Sequence, residues 1–132
     1  MNILIVEDEF VSGFLLSELL SPFGQCTVVT DGRDAVDLLE HAYETNNCFD
    51  LVCLDIHVPG MDGQQVLKEI QRMEDAKKND GNHTTKVFMT TTQRDAKNIM
   101  AAFTTGCCQA YLTKPIDRVK LVYHLRQCQL VN

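Results

Sequence analysis

The sequence has 132 residues, a hydrophobic share of 45% and no tryptophan, enough for one compact domain with an aliphatic core and too short for two. A formal charge of −6 argues against direct nucleic-acid binding, which needs a basic face. Acidic residues follow the first apolar run at once and no stretch nears membrane-spanning length, so a cytoplasmic, membrane-free protein is expected.

Residues 3–6 form a short β-branched run that stops at Glu7-Asp8-Glu9. Val11, Phe14, Leu15 and Leu19 then recur at helical spacing and predict a helix, halted by Ser21-Pro22-Phe23-Gly24. Residues 27–30 read as a weaker strand closed by Asp31-Gly32, and Ala35, Leu38, Leu39 and Ala42 mark the next helix. Residues 49–54 make the strongest strand, ending at Asp55. After the loop from His57 to Gly63, Val66, Leu67, Ile70 and Met73 face inward from a third helix. Residues 75–85 are polar and aperiodic, and read as a flexible loop. Residues 87–90 predict a fourth strand. Ala96, Ile99, Met100 and Phe103 predict a fourth helix, residues 110–113 a fifth strand, and Leu121, Val122, Leu125 and Cys128 a closing helix.

Five strands alternating with five helices imply βαβ units, hence a doubly wound parallel sheet in one domain over 1–132. Six cysteines offer no CxxC pair, and Cys53 inside an apolar run reads as a small hydrophobe; Cys107-Cys108 fall in a loop.

The carboxylates set the chemistry. Glu7 and Asp8 follow the first strand and Asp55 ends the third. In an open parallel sheet, ligands bind beyond the carboxyl ends of strands at the switch in strand order, and order 2-1-3-4-5 makes these two strands neighbours. Converging carboxylates repel one another, so a hard divalent cation is expected among them. Thr91 at the end of strand four and Lys114 at the end of strand five add a hydroxyl and an ammonium. Nucleophilic carboxylate, metal, hydroxyl and ammonium make a phosphoryl-transfer site. Alone, each has a plainer role: Glu7-Asp8-Glu9 as a helix N-terminus, Asp55 as a turn former, Thr91 as a β-former, Lys114 as a surface lysine. Their shared position at one end of four strands is what those roles leave unexplained.

The segments Ile3-Leu4-Ile5-Val6-Glu7-Asp8-Glu9, Leu54-Asp55-Ile56-His57-Val58-Pro59-Gly60-Met61-Asp62-Gly63, Met89-Thr90-Thr91-Thr92 and Tyr111-Leu112-Thr113-Lys114-Pro115-Ile116 together resemble the receiver domain of two-component response regulators. The resemblance implies a flavodoxin-like fold and Asp55 as phosphoacceptor. It implies Mg²⁺ or Mn²⁺ held by Asp8, Asp55 and the His57 carbonyl, with Glu7 acting through coordinated water, and a cis bond at Lys114-Pro115. The implied phosphodonor is a phosphohistidine on a sensor histidine kinase or phosphotransfer protein. Thr91 and Tyr111 would be the switch pair, altering the surface around the fourth helix, fifth strand and fifth helix, where a downstream protein would bind. His57, Thr92 and Gln93 flank the site as rate-tuning positions; Thr92 replaces the family's usual small residue, and residues 106–110 are one longer than usual.

The chain ends about one helix after Lys114, so a stand-alone regulator or phosphorelay carrier that is not an enzyme in its own right is expected, with a receiver excised from a larger protein as the other reading; a monomer or weak homodimer is expected. The alternatives are a phosphorylation-independent binding module and a flavin carrier; the acidic residues after strand one would repel a flavin phosphate.

Overall fold

A computed structural model describes residues 1–77, 84–92 and 108–132. β1 (Asn2–Val6), α1 (Phe10–Leu20), β2 (Gln25–Val29), α2 (Gly32–Glu44), β3 (Leu51–Asp55), α3 (Gly63–Ala76), β4 (Lys86–Thr91), β5 (Ala110–Thr113) and α4 (Arg118–Gln127) follow in chain order. All pairings are parallel and the strand order is β2-β1-β3-β4-β5. This is a flavodoxin-like sheet with four helices among the described residues. The helix predicted around Ala96–Phe103, together with Gln93 and Cys107, lies outside them.

Strand alternation divides the core in two. Leu4, Val6, Val52 and Leu54 meet α2 and α3 on one face, while Ile3, Ile5, Leu51 and Cys53 meet α1 and α4 on the other. β3 is buried at every position, as a central parallel strand requires. Burial pushes the Cys53 thiol well up, which keeps it a protonated core side chain. Short acidic caps set the helix starts: Asp31 accepts from the Arg33 and Asp34 amides, Asp117 from Val119, and Asp62 forms a capping box with Gln65.

Strand bounds and one loop change from expectation. β3 begins two residues later than predicted and includes Asp55, and β2 starts at Gln25. The aperiodic segment is ordered at both ends: α3 runs through Ala76, and the buried Thr85 is held by a hydrogen-bonded network. Tyr43 Oη donates to Glu74 Oε2 at 2.6 Å, Thr85 N donates to Glu74 Oε1 at 3.1 Å, and Thr85 Oγ1 donates to the Phe49 carbonyl at 2.8 Å. Most consequentially, the structure fixes which face of α1 meets the sheet. Gly13, Leu16 and Leu20 are buried, whereas Val11, Phe14 and Leu15 are 58%, 54% and 54% exposed. The helix is apolar nearly all round, so periodicity alone did not define its inner face.

Candidate functional site

The sheet register brings four strand ends together. Val6 lies opposite Leu54, Asp55 opposite Thr90, and Thr91 opposite Thr113, so Glu7, Asp55, Thr91 and Lys114 emerge along one edge. Lys114 Nζ donates to Glu7 Oε2 at 2.6 Å and to Asp55 Oδ2 at 2.9 Å. The remaining oxygens take backbone donors: Glu7 Oε1 accepts from Glu9 N at 3.1 Å, and Asp55 Oδ1 from His57 N at 3.1 Å. Glu7 and Asp55 are buried and Asp8 is exposed; one oxygen of each lies within 4.8 Å of the others.

Charge is unbalanced in this pocket. Burial, reinforced by Asp55, pushes the Glu7 carboxyl up to about 7, against the lowering effect of Lys114 and the Glu9 amide. Burial alone would lower Lys114; its bonds to Glu7 and Asp55, with their charges, outweigh that and raise it, so the ammonium keeps its proton. Among the described residues, one ammonium thus bridges two members of a cluster of three carboxyl groups. This hard, oxygen-only donor set with surplus negative charge fits a divalent cation of the Mg²⁺ class.

Thr91 Oγ1 is buried and has no hydrogen-bond partner among the described residues, although such groups are normally satisfied. Its carbonyl accepts from Lys114 N at 2.7 Å, which ties the two strand ends together. Thr92 and the His57 side chain are exposed at the rim, and Tyr111 is half-buried in β5 against the α2–α3 side of the core. The Lys114–Pro115 bond is cis.

One feature of the neighbourhood escaped the sequence reading. A cavity of about 400 Å³ runs from Glu7, Thr92 and Lys114 to Val11, Leu15 and Ile116. Beyond it the outer face of α1 continues through Phe10 and Phe14, stacked with ring centroids 6.4 Å apart. The available signal was an α1 carrying more apolar residues than one buried stripe needs.

Comparison with known proteins agrees with this architecture. Residues 3–126 match the family model described as the response regulator receiver domain. The transcriptional activator protein IrlR of Burkholderia pseudomallei is 34% identical over 127 residues, covering 96% of this chain; the chain spans 49% of that relative's length. A crystal structure of the receiver domain of a Pseudomonas aeruginosa sensor histidine kinase, with magnesium coordinated in its active-site cleft, superposes with a TM-score of 0.73 at 26% identity, covering 97% of each chain. The signal receiver domain of an HD domain-containing protein from Pseudomonas fluorescens gives a TM-score of 0.75 at 30% identity, covering 97% of this chain and 93% of that one. None of the described helices is long and apolar enough to cross a membrane. With its sheet order, its acidic strand-end cluster and a family match over nearly its whole length, this chain belongs to the response regulator receiver domain family.

Proposed function

We propose that the chain, folded as one receiver domain, is a phosphorylation switch in which Asp55 takes a phosphoryl group from a phosphohistidine of a sensor kinase or phosphotransfer protein. The observation that carries this reading is Lys114 Nζ bridging Glu7 and Asp55 across residues 107 and 59 positions apart, which assembles nucleophile and cation from three strand ends. A carboxylate oxygen of Asp55 attacks phosphorus, an aspartyl–phosphate bond forms, and the bond from phosphorus to the donor imidazole nitrogen breaks. The His57 amide orients the Asp55 carboxylate. Lys114 and the Thr91 hydroxyl offset charge on the phosphoryl oxygens. Glu7, Asp8, Asp55 and the His57 carbonyl are the groups to hold Mg²⁺ or Mn²⁺, which when bound supplies further positive charge to those oxygens.

The unpartnered Thr91 hydroxyl supports its role as the mobile element of the switch, with Tyr111 following it inward and reshaping the surface around β5 and α4 for a downstream protein. His57, Thr92 and Gln93 tune the lifetime of the modified state. The outward apolar face of α1, adjoining the cavity beside Glu7 and Lys114, supplies a surface on which the donor's helices can seat.

Intact-protein mass after incubation with Mg²⁺ and acetyl phosphate tests this reading. A single phosphoryl adduct on the wild type, absent from Asp55→Ala and abolished by chelation, is expected. No adduct from acetyl phosphate or from phosphorylated sensor kinases would instead identify a phosphate-independent binding module.

A further inference from the structure

Two βα connections meet beside the site. The Asp31–Gly32 turn opens α2, and the loop after Asp55 leads into α3. Gly32 N donates to the Pro59 carbonyl at 2.9 Å, joining the two backbones. There is no room for a side chain between them: a Cβ on Gly32 would collide with the Met61 carbonyl. Gly60, at φ +82°, occupies the left-handed region, and a Cβ there would run into the Asp31 carboxylate. Asp31 has little freedom to retreat, because its Oδ1 accepts from Arg33 N at 2.7 Å as the cap of α2. The loop is held from beneath as well, with Val58 buried in the core and Met61 packed against it. Upstream, the same loop carries the His57 amide that binds Asp55 Oδ1, and Gly63 N closes it by donating to the Ile56 carbonyl at 2.9 Å.

We propose that the Asp31–Gly32 turn is a positioning element for the loop bearing His57, and through that loop for Asp55 and the cation site. The proposal rests on the phosphoacceptor reading above for its rate effect, but not for its effect on cation binding. Neither residue is among the groups assigned to hold the cation, so any influence on it travels through the backbone contact.

The test is Mg²⁺ affinity by titration calorimetry, alongside acetyl phosphate labelling followed by intact mass. Gly32→Ala is expected to weaken Mg²⁺ binding about 10–100-fold, as loss of an outer supporting contact does, and to slow labelling in step. A folded Gly32→Ala protein with wild-type Mg²⁺ affinity overturns the proposal, whatever its thermal midpoint. If circular dichroism shows that Gly32→Ala does not fold, a second pair decides. Gly60→Ala should weaken Mg²⁺ binding, and adding Asp31→Gly, a substitution well tolerated at an N-cap, should restore at least part of it by removing the colliding carboxylate. Strictly independent effects of those two changes would equally overturn the proposal. A wild type that binds Mg²⁺ yet takes no phosphoryl group defeats only the phosphoacceptor reading; the Mg²⁺ affinities of the variants still decide for or against the positioning role.

Discussion

Replacing Lys114 by Met removes one charge while keeping most of the side-chain volume, and its consequence depends on pH. The ammonium sits 2.6 Å from Glu7 and 2.9 Å from Asp55, whose side chains are only 3% and 8% exposed. Stranding one partner of a buried ion pair costs about 3–5 kcal/mol. Lys114 keeps 18% of its own exposure, which places the loss near about 3 kcal/mol at pH 8. The pH dependence follows from Glu7. Its carboxyl is raised from 4.5 to about 7 in the folded state, so wild-type stability is greatest while that proton is bound and declines as pH rises from 4.5 to about 7. Without Lys114, which lowers this value, Glu7 holds its proton to higher pH and the decline continues past 7. The gap between wild type and Lys114→Met therefore widens with pH. At pH 5.5 Glu7 is largely neutral in both proteins, and the gap shrinks to about 1–2 kcal/mol. Urea unfolding followed by circular dichroism, in EDTA at the two pH values, measures it. Saturating Mg²⁺, worth about 2.7 kcal/mol at a hundredfold excess over Kd, should narrow the gap by supplying the missing charge. An equal loss at both pH values, indifferent to Mg²⁺, would mean that packing rather than charge compensation is what Lys114 contributes.

Other outcomes follow from the same geometry. Phe10→Ser with Phe14→Ser, both on the outward face of α1, should change stability by no more than about 0.5 kcal/mol per site. It should slow transfer from a phosphohistidine donor at least about tenfold, a loss of about 1.4 kcal/mol in transition-state binding, while acetyl phosphate labelling is unchanged; equal slowing with both donors would place the effect at the site itself. Tyr43→Phe deletes the bond to Glu74 and should lower stability by about 1–2 kcal/mol in thermal melts, leaving labelling intact. Because Glu7 must lose its proton to serve a cation, Mg²⁺ affinity should rise from pH 6 to pH 8 with net proton release, measurable by calorimetry in buffers of different ionisation heat. A flat profile would remove Glu7 from the cation site. Thr92→Ala, opening the exposed rim, should speed both gain and loss of phosphate, and unchanged turnover would exclude a gating role for Thr92.

Much of the fold and site can be read along the chain because the relevant signals are local. Buried parallel strands are written as continuous apolar runs, so residues 3–6 and 49–54 announce β1 and β3, and the carboxylates that end those runs lie at the ligand-binding edge of such a sheet. Asp8, Asp55, Thr91 and Lys114 could be named from those positions and from the resemblance they carry. The inner face of α1 was not legible because apolar residues on both of its faces satisfy the helical period, and a period cannot say which of two apolar faces meets the sheet. Thr85, in a polar stretch without period, gave no sign of burial, because its partners Tyr43 and Phe49 lie far back in the sequence. The sequence by itself determined the alternation of elements, the parallel sheet and the residue types at the strand ends. Only the tertiary structure decided which face of α1 points outward, that Lys114 bridges Glu7 and Asp55, and that Gly32 locks onto Pro59. Those are contacts between distant segments, set by how helices and loops settle on the twisted sheet rather than by any local pattern.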